Sequence, residues 1–438
     1  MVKVMIMKLH YLIPVSAFFI VACSGDLGGR IDQHSDVPIP TEVTVSGVKA
    51  IPGGAVIKVT IPDDENLKGV VAEYERHGVT VNTKISRYVD SLVVEGFADT
   101  KEHIVNLYSF NVNEERSAAV PVTITPDPPA ITTVAYSVAE SFGGVKVHIE
   151  KNTSKANLAI CILRDSDLSD MGKPLNQMKW VEVTTLFTAS EDIFLSRRGI
   201  EPEEAIFGVY LRDHWGNVSD TTVTVLTPIE EIQLDPSKFR NANLSDDNCP
   251  SYNESQYPVS ALWDGSGLSA IPHFFVSMPE GPSPTWLTID LGVKAQLSRI
   301  TTLPRIGYVI FGGGAVRDYE FWGSMDPTGK EAPVTDDNPY GFDETWFKLG
   351  EFTQAKPSGY LENGLPGDIT AEDIQTFNAG NDFELDPVQY PHCNDELRYL
   401  RVIFVNTFTT FEYGHGTSNR QVQTGEVTPF GLVLESYR

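Results

Sequence analysis

The chain has 438 residues, of which 41 % are hydrophobic and 21 % charged. That is enough for two to four domains of roughly 100–200 residues and excludes wholesale disorder. With 33 Lys and Arg against 59 Asp and Glu, the net charge of −26 argues against nucleic acid and against electrostatic landing on anionic lipid, because both demand a basic face. Gly (35) and Pro (28) sit among many short apolar alternations, which favours β over α structure, and 4 Cys in so long a chain exclude a disulfide scaffold.

Residues 1–22 carry Lys3 and Lys8, then a mostly apolar run from Tyr11 to Ala22. A membrane span needs about 20 apolar residues, so this run predicts the core of an export signal. The run closes Ile20-Val21-Ala22-Cys23, which resembles a bacterial lipobox. That resemblance implies lipidation of Cys23 and attachment to a membrane through the lipid alone. Residues 23–40, rich in Gly, Ser, Asp and Pro, predict a flexible tether.

A repeat follows. Residues 53–67 (GGAVIKVTIPDDENL) and 143–158 (GGVKVHIEKNTSKANL) share Gly-Gly, a strict alternation and a polar turn ending Asn-Leu. The alternation predicts strands that bury Ala55, Ile57, Val59 and Ile61 in one copy and Val145, Val147 and Ile149 in the other. Further along, both copies give strand, polar turn, strand and Thr-Pro, with Tyr108 and Tyr210 at matching positions. The pattern resembles fibronectin type III domains and predicts two tandem immunoglobulin-like sandwiches, 41–128 and 129–230. Asp63-Asp64-Glu65 and Asp213-His214-Trp215-Gly216-Asn217 are read as turns rather than as metal or catalytic sites, because Asp, Asn and Gly are turn formers. Cys161 is read as a buried small hydrophobe.

From about Leu234 the texture changes to more aromatics, longer loops and Gly clusters. Leu262-Trp263-Asp264-Gly265, Trp286-Leu287-Thr288-Ile289-Asp290-Leu291-Gly292, Gly323-Ser324-Met325-Asp326, Arg398-Tyr399-Leu400-Arg401 and a last strand bearing Glu435 follow in order. The series resembles the discoidin, or coagulation factor C-type, family. It implies a galactose-binding-like jelly-roll sandwich over 234–438, so the whole chain is expected to be all-β. Trp263, Trp286, Trp322 and Trp346 are assigned to the core. The resemblance also implies one structural Ca²⁺ held by Asp264 and Glu435, although Asp264 reads equally as an Asx turn, and it places ligands in loops at one end of the sandwich. On those loops His273, Phe274, Arg305, Tyr308, Phe311, Tyr413 and His415 are the candidate ligand-binding residues. Aromatic rings suit the apolar face of a sugar, and His and Arg suit its hydroxyls. Two long connections, 328–345 and 357–396, are set apart as insertions, with a short helix expected at Ile369–Phe377. Cys249 and Cys393 lie in loops, where a disulfide is left open.

The chain has no metalloprotease, serine-hydrolase, phosphate-loop or Cys-His signature. The three-module layout resembles Bacteroidetes surface lipoproteins of glycan-capture machinery. It implies a non-catalytic, outer-membrane, cell-surface protein that binds carbohydrate, with a periplasmic placement left open. The alternative is a scaffold that contacts another protein of a surface complex, and a hydrolase with an unrecognised site is the third reading.

Overall fold

The computed structural model describes residues 37–266, 270–307, 309–336 and 338–438. Cys23, Tyr308 and the export signal lie outside the described residues. The fold is nearly all β, and the chain divides into two compact units, 1–130 and 131–438.

The first unit holds β1 (Thr44–Ile51), β2 (Gly54–Thr60), β3 (Gly69–Arg76), β4 (Val79–Ser86), β5 (Ser91–Glu95), β6 (His103–Phe110) and β7 (Val120–Ile124). They form a sheet β1-β2-β5 and a sheet β4-β3-β6-β7. Ala55, Ile57 and Val59 pack with Val70, Ala72, Leu92, Val105 and Leu107 between the two. Burying one such aliphatic side chain contributes about 1.5–3 kcal/mol. Asp64 closes the turn after β2 by accepting from Thr41 N and Asn66 N, each at 2.9 Å.

After α1 (Ala130–Thr133), the second unit repeats the sandwich as β8 (Ala135–Ser141), β9 (Gly144–Glu150), β10 (Leu158–Asp165), β11 (Val181–Thr188), β12 (Ile193–Arg198), β13 (Ala205–Arg212) and β14 (Thr222–Leu226). The sheets β12-β9-β8 and β11-β10-β13-β14 match those of the first copy. The late hairpins match in chemistry as well. Asn111 Oδ1 accepts from Asn113 N and Glu115 N at 2.9 and 3.0 Å, and Asp213 Oδ1 accepts from Trp215 N and Asn217 N, both at 2.9 Å. Ser117 and Ser219 then accept through Oγ from Ser109 N and Leu211 N. The Asp213 carboxylate is thus engaged in turn geometry.

The remainder of the second unit is one sheet built on three long strands. β15 (Ile232–Gln233), β16 (Arg240–Asn241) and β17 (Phe275–Val276) are short, followed by β18 (Thr285–Pro304), β19 (Val316–Ser324) and β20 (Phe347–Thr353). After α2 (Ala371–Ala379) come β21 (Asn381–Glu384), β22 (Glu396–Thr407), α3 (Phe408–Tyr413) and β23 (Gln423–Ser436). The order is β15-β23-β18-β22-β19-β20. The first part of β18 pairs with β22 and the second with β23, with register shifts between Asp290 and Ala295, so one strand serves both walls of the core. Trp263, Phe275, Leu287, Ile289, Leu291, Tyr319, Phe321, Val402 and Phe404 fill that core. Trp322 and Trp346 are buried and Trp286 is half-buried.

Two of the ordered markers of the sequence, those bearing Asp290 and Arg398 with Arg401, form ion pairs that staple this sheet. Arg398 forks onto Asp290 with both bonds at 2.9 Å. Arg401 is fully buried, grips Asp246 at 2.8 and 3.0 Å, and lies 4.1 Å from the Trp346 ring centre. Bidentate guanidinium–carboxylate geometry explains why Arg stands at both positions. Cys249 and Cys393 are buried free thiols, so no bridge joins the module's start to its late insertion. Among the described residues, no helix is long and apolar enough to cross a membrane.

Candidate functional site

Three loops meet at one end of the C-terminal module. Loop 305–315 leads from β18 to β19, residues 414–422 link α3 to β23, and residues 264–284 flank β17. Gln423 N donates to Gly314 O at 2.8 Å, Thr409 N to Gly313 O at 3.0 Å, and Arg420 N to Pro279 O at 2.9 Å. A Cβ on Gly314 would lie 2.5 Å from Gln421 O, so only glycine allows this approach. These contacts tie the described parts of the three loops to one another.

Arg305 is set by two neighbours. Its Nη1 donates to Gln423 Oε1 at 2.7 Å, and its guanidinium lies 4.0 Å from the Phe274 ring centre. Phe274 itself is only 2 % exposed. The adjacent His273 places Nδ1 2.7 Å from Asp264 Oδ2. On the neighbouring loop His415 Nδ1 lies 2.7 Å from Ser283 Oγ, and Arg420 donates to His415 O at 3.2 Å and Glu280 O at 3.0 Å. Tyr413, at the end of α3, is 68 % exposed. Ile271, Met278 and Val309 are the other large apolar side chains exposed around these loops.

Two of the aromatics expected to meet ligand are not presented to solvent. Phe311 is 3 % exposed and packs with Ala315, Phe377 and Phe408, while Phe274 serves as the platform under Arg305. Glycine-rich loops that close on themselves need an apolar floor, and these rings supply it. Their role is support, and the surface role passes to Tyr413, His273 and His415. Arg420, Gln421 and Gln423 were missed. They lie together in one short polar stretch that runs into the first residue of β23, a weak signal that only the cross-loop contacts explain.

The expected metal pair also separates. Glu435 sits on the exposed end of β23 opposite Lys294, whereas the acid that meets Asp264 is Glu426 of the same strand. Ser266 N donates to Asp264 Oδ1 at 2.8 Å and to Glu426 Oε1 at 3.1 Å. Burial opposes ionisation of Asp264, but His273, Glu426 and the Ser266 N–H hold its carboxyl below the ordinary range. Asp264 and Glu435 do not fit one ion. Asp264 with Glu426 offers the converging oxygens that a hard cation accepts, together with backbone carbonyls. Among the described residues no three His, Cys, Asp or Glu side chains converge as a metal cluster.

Three domain families match the chain: the domain of unknown function DUF4959 at residues 40–126, the domain of unknown function DUF5126 at 127–237, and the domain of unknown function DUF5000 at 263–431. No curated protein matches it. Among solved structures, a SusE-like protein is 25 % identical, with a TM-score of 0.40 over 70 % of this chain and 100 % of that one. The C-terminal domain of a chitobiase from Bacteroides fragilis is 15 % identical, with a TM-score of 0.30 over 47 % of this chain and 100 % of that one. The module CBM32-3 of a family 31 glycoside hydrolase from Clostridium perfringens is 17 % identical, with a TM-score of 0.29 over 46 % of this chain and 95 % of that one.

Proposed function

We propose that this chain is a non-catalytic protein of the cell envelope, anchored by lipid at Cys23 and exposed at the outer-membrane surface. Its C-terminal module binds glycan through the loops at one end, and its work is polysaccharide capture. The observation that carries the reading is the cross-tied loop end, which presents the exposed ring of Tyr413, with His415 two residues on and the His273–Asp264 pair on another of the three loops. A tyrosine ring stacks on the apolar face of a pyranose, and imidazole nitrogens exchange hydrogen bonds with its hydroxyls. A preformed backbone keeps the ordering cost of binding low. Calcium belongs to the proposal at Asp264 and Glu426, where it would brace the loop beside His273. The apolar rim of Ile271, Met278 and Val309 supports a second reading, in which the same end docks another protein of a surface complex.

The test is a glycan-array screen of the intact chain, with Ca²⁺ and with chelator. A defined glycan is expected to bind, and Tyr413→Ala and His415→Ala are each expected to weaken it tenfold or more. A blank from well-folded protein would discard glycan binding and favour the docking reading, to be pursued by pull-down from the membrane. In the same preparations chelator should lower the unfolding midpoint of the wild type and of Glu435→Gln, but not of Glu426→Gln. An unmoved wild-type midpoint would remove calcium from the account.

A further inference from the structure

The insertions 328–345 and 357–396, the second of which also lends Phe377 to the floor of the loop end, both reach one cavity on the flank of the C-terminal module. It has a volume of about 590 Å³ and lies over the edge strand β20. Trp322, Trp346, Lys348, Glu351, Tyr390 and His392 line it. Trp322 and Trp346 form a buried floor, and Tyr390 is a half-buried wall. Gln389, Glu351 and His392 stand on the exposed rim.

The polar groups are held in a defined order. Glu320 and Glu351 face each other across the β19–β20 ladder, an arrangement that would repel, and Lys348 resolves it. Its Nζ lies 3.4 Å from Glu320 Oε1 and 2.9 Å from Glu351 Oε2. The register shifts between Phe321 and Trp322, and such irregularities re-aim side chains beside binding sites. Trp322 Nε1 donates to Glu320 Oε2 at 3.0 Å, which locks the buried carboxylate. Glu351 keeps a side chain 56 % exposed, and its carboxylate also accepts from the Tyr390 hydroxyl. Lys348 also lies 5.8 Å from the Tyr390 ring centre.

We propose that this cavity is a second carbohydrate site, separate from the loop end, that takes a neutral sugar. The Tyr390 ring would meet the apolar face of the pyranose. Glu351 would accept from its hydroxyls, and the Lys348 ammonium and Gln389 amide would donate to them. Three carboxylates, those of Glu320, Glu351 and the lining residue Asp336, against one lysine disfavour an anionic ligand. The argument draws on β19, β20 and the two insertions, not on the ligand-binding candidates of the loop end, and stands whether or not the loop end binds glycan.

The experiment is saturation-transfer difference NMR on the intact chain with neutral probes. These are galactose, N-acetylgalactosamine, N-acetylglucosamine, and the trisaccharides of β-linked xylose, mannose and glucose. At least one probe should be saturated by the protein, and part of that signal should survive in the double variant Tyr413→Ala/His415→Ala. Tyr390→Ala and Glu351→Gln should each weaken the surviving component tenfold or more. Tyr390 packs partly against the core, so the exposed variants Glu351→Gln and His392→Ala guard against misfolding as the cause of loss. Silence from every probe, or a surviving signal untouched by Glu351→Gln and Tyr390→Ala alike, would overturn the proposal. Loss of all signal in the loop-end double variant would do the same while leaving the loop site standing.

Discussion

At the scale of single residues, charge and burial decide which groups are chemically available. Burial pushes the Cys249 thiol up to about 12 and the Cys393 thiol up to about 11. A thiol attacks as its thiolate, so at neutral pH both are inert, and buried Cys161 is sterically closed as well. Native protein at pH 8 is therefore expected to leave Cys161, Cys249 and Cys393 unlabelled by a thiol reagent, with all three labelled in denaturant. Rapid labelling without denaturant would refute the packing around them. The same scale explains why the site was only partly legible in the sequence. Tyr413 and His415 could be found because aromatic and His residues between glycines are unusual. That Phe311 and Phe274 face inward could not be foreseen, because the rings that bury them, Phe377 and Phe408 for the one and Tyr257 for the other, come from distant segments. Glu435 came from the resemblance, which supplies a strand without its register, and register decides which side chain meets which loop.

Elements were far more legible than sites. A period of two is a local property, so the alternations at 55–59 and 145–149 marked β2 and β9, whose inward residues are indeed buried. Helix α2 was legible from local chemistry too. Thr370 caps it by accepting from Asp373 N, while Asp373 accepts from Thr370 N, a reciprocal box that starts the helix just after the predicted position. What the sequence did not disclose is that Asp373 also meets a buried ammonium. Lys356 Nζ lies 3.2 Å from Asp373 Oδ2, with both side chains almost wholly enclosed. Burial opposes ionisation of Asp373, but the N–H groups of Ser358 and Thr370, the Ser358 hydroxyl and Lys356 together hold its carboxyl well below the usual carboxylate range. A carboxyl whose folded value is depressed contributes stability that is complete above its unfolded value of about 3.8 and is lost as pH falls through the lower folded value. Lys356→Met leaves the carboxylate enclosed without its partner and should lower the unfolding midpoint by on the order of 10 °C at pH 7. Its deficit should shrink in acid, where the variant's Asp373 takes up a proton. A midpoint difference that is small, or constant from pH 7 to pH 3, would contradict the pairing.

On the scale of the molecule, the question is what makes the second sandwich and the C-terminal module one compact unit rather than beads on a linker. Pro228 and Glu230-Glu231 look like an ordinary joint, yet Glu231 is nearly enclosed, with a side chain only 7 % exposed. Arg198 of β12 places Nε 3.2 Å from Glu231 Oε1, and Arg299 of β18 places Nε 3.6 Å from Glu231 Oε2. Each arginine also reaches a carboxylate on β21, Arg198 to Glu384 and Arg299 to Asp382. Ser298 donates to Glu231, and Ile229 N donates to Ser141 O at 3.1 Å, which ties the linker itself to β8. One acid thus bridges cations from two modules, and a partly enclosed network of this kind is sensitive to loss of its central member. Glu231→Gln preserves the shape but removes the charge that offsets both arginines. The expected result is faster amide hydrogen exchange across 228–234 and along β21, with the interior of β10 and β22 unchanged. In calorimetry the wild-type second unit should unfold in one transition that separates into two in the variant. Unaltered exchange at 228–234 would mean that the backbone bonds hold the junction by themselves. Were the junction to loosen in the variant as expected, the intact network would be what makes the sandwich a rigid mount that fixes the direction in which the loop end of the module faces.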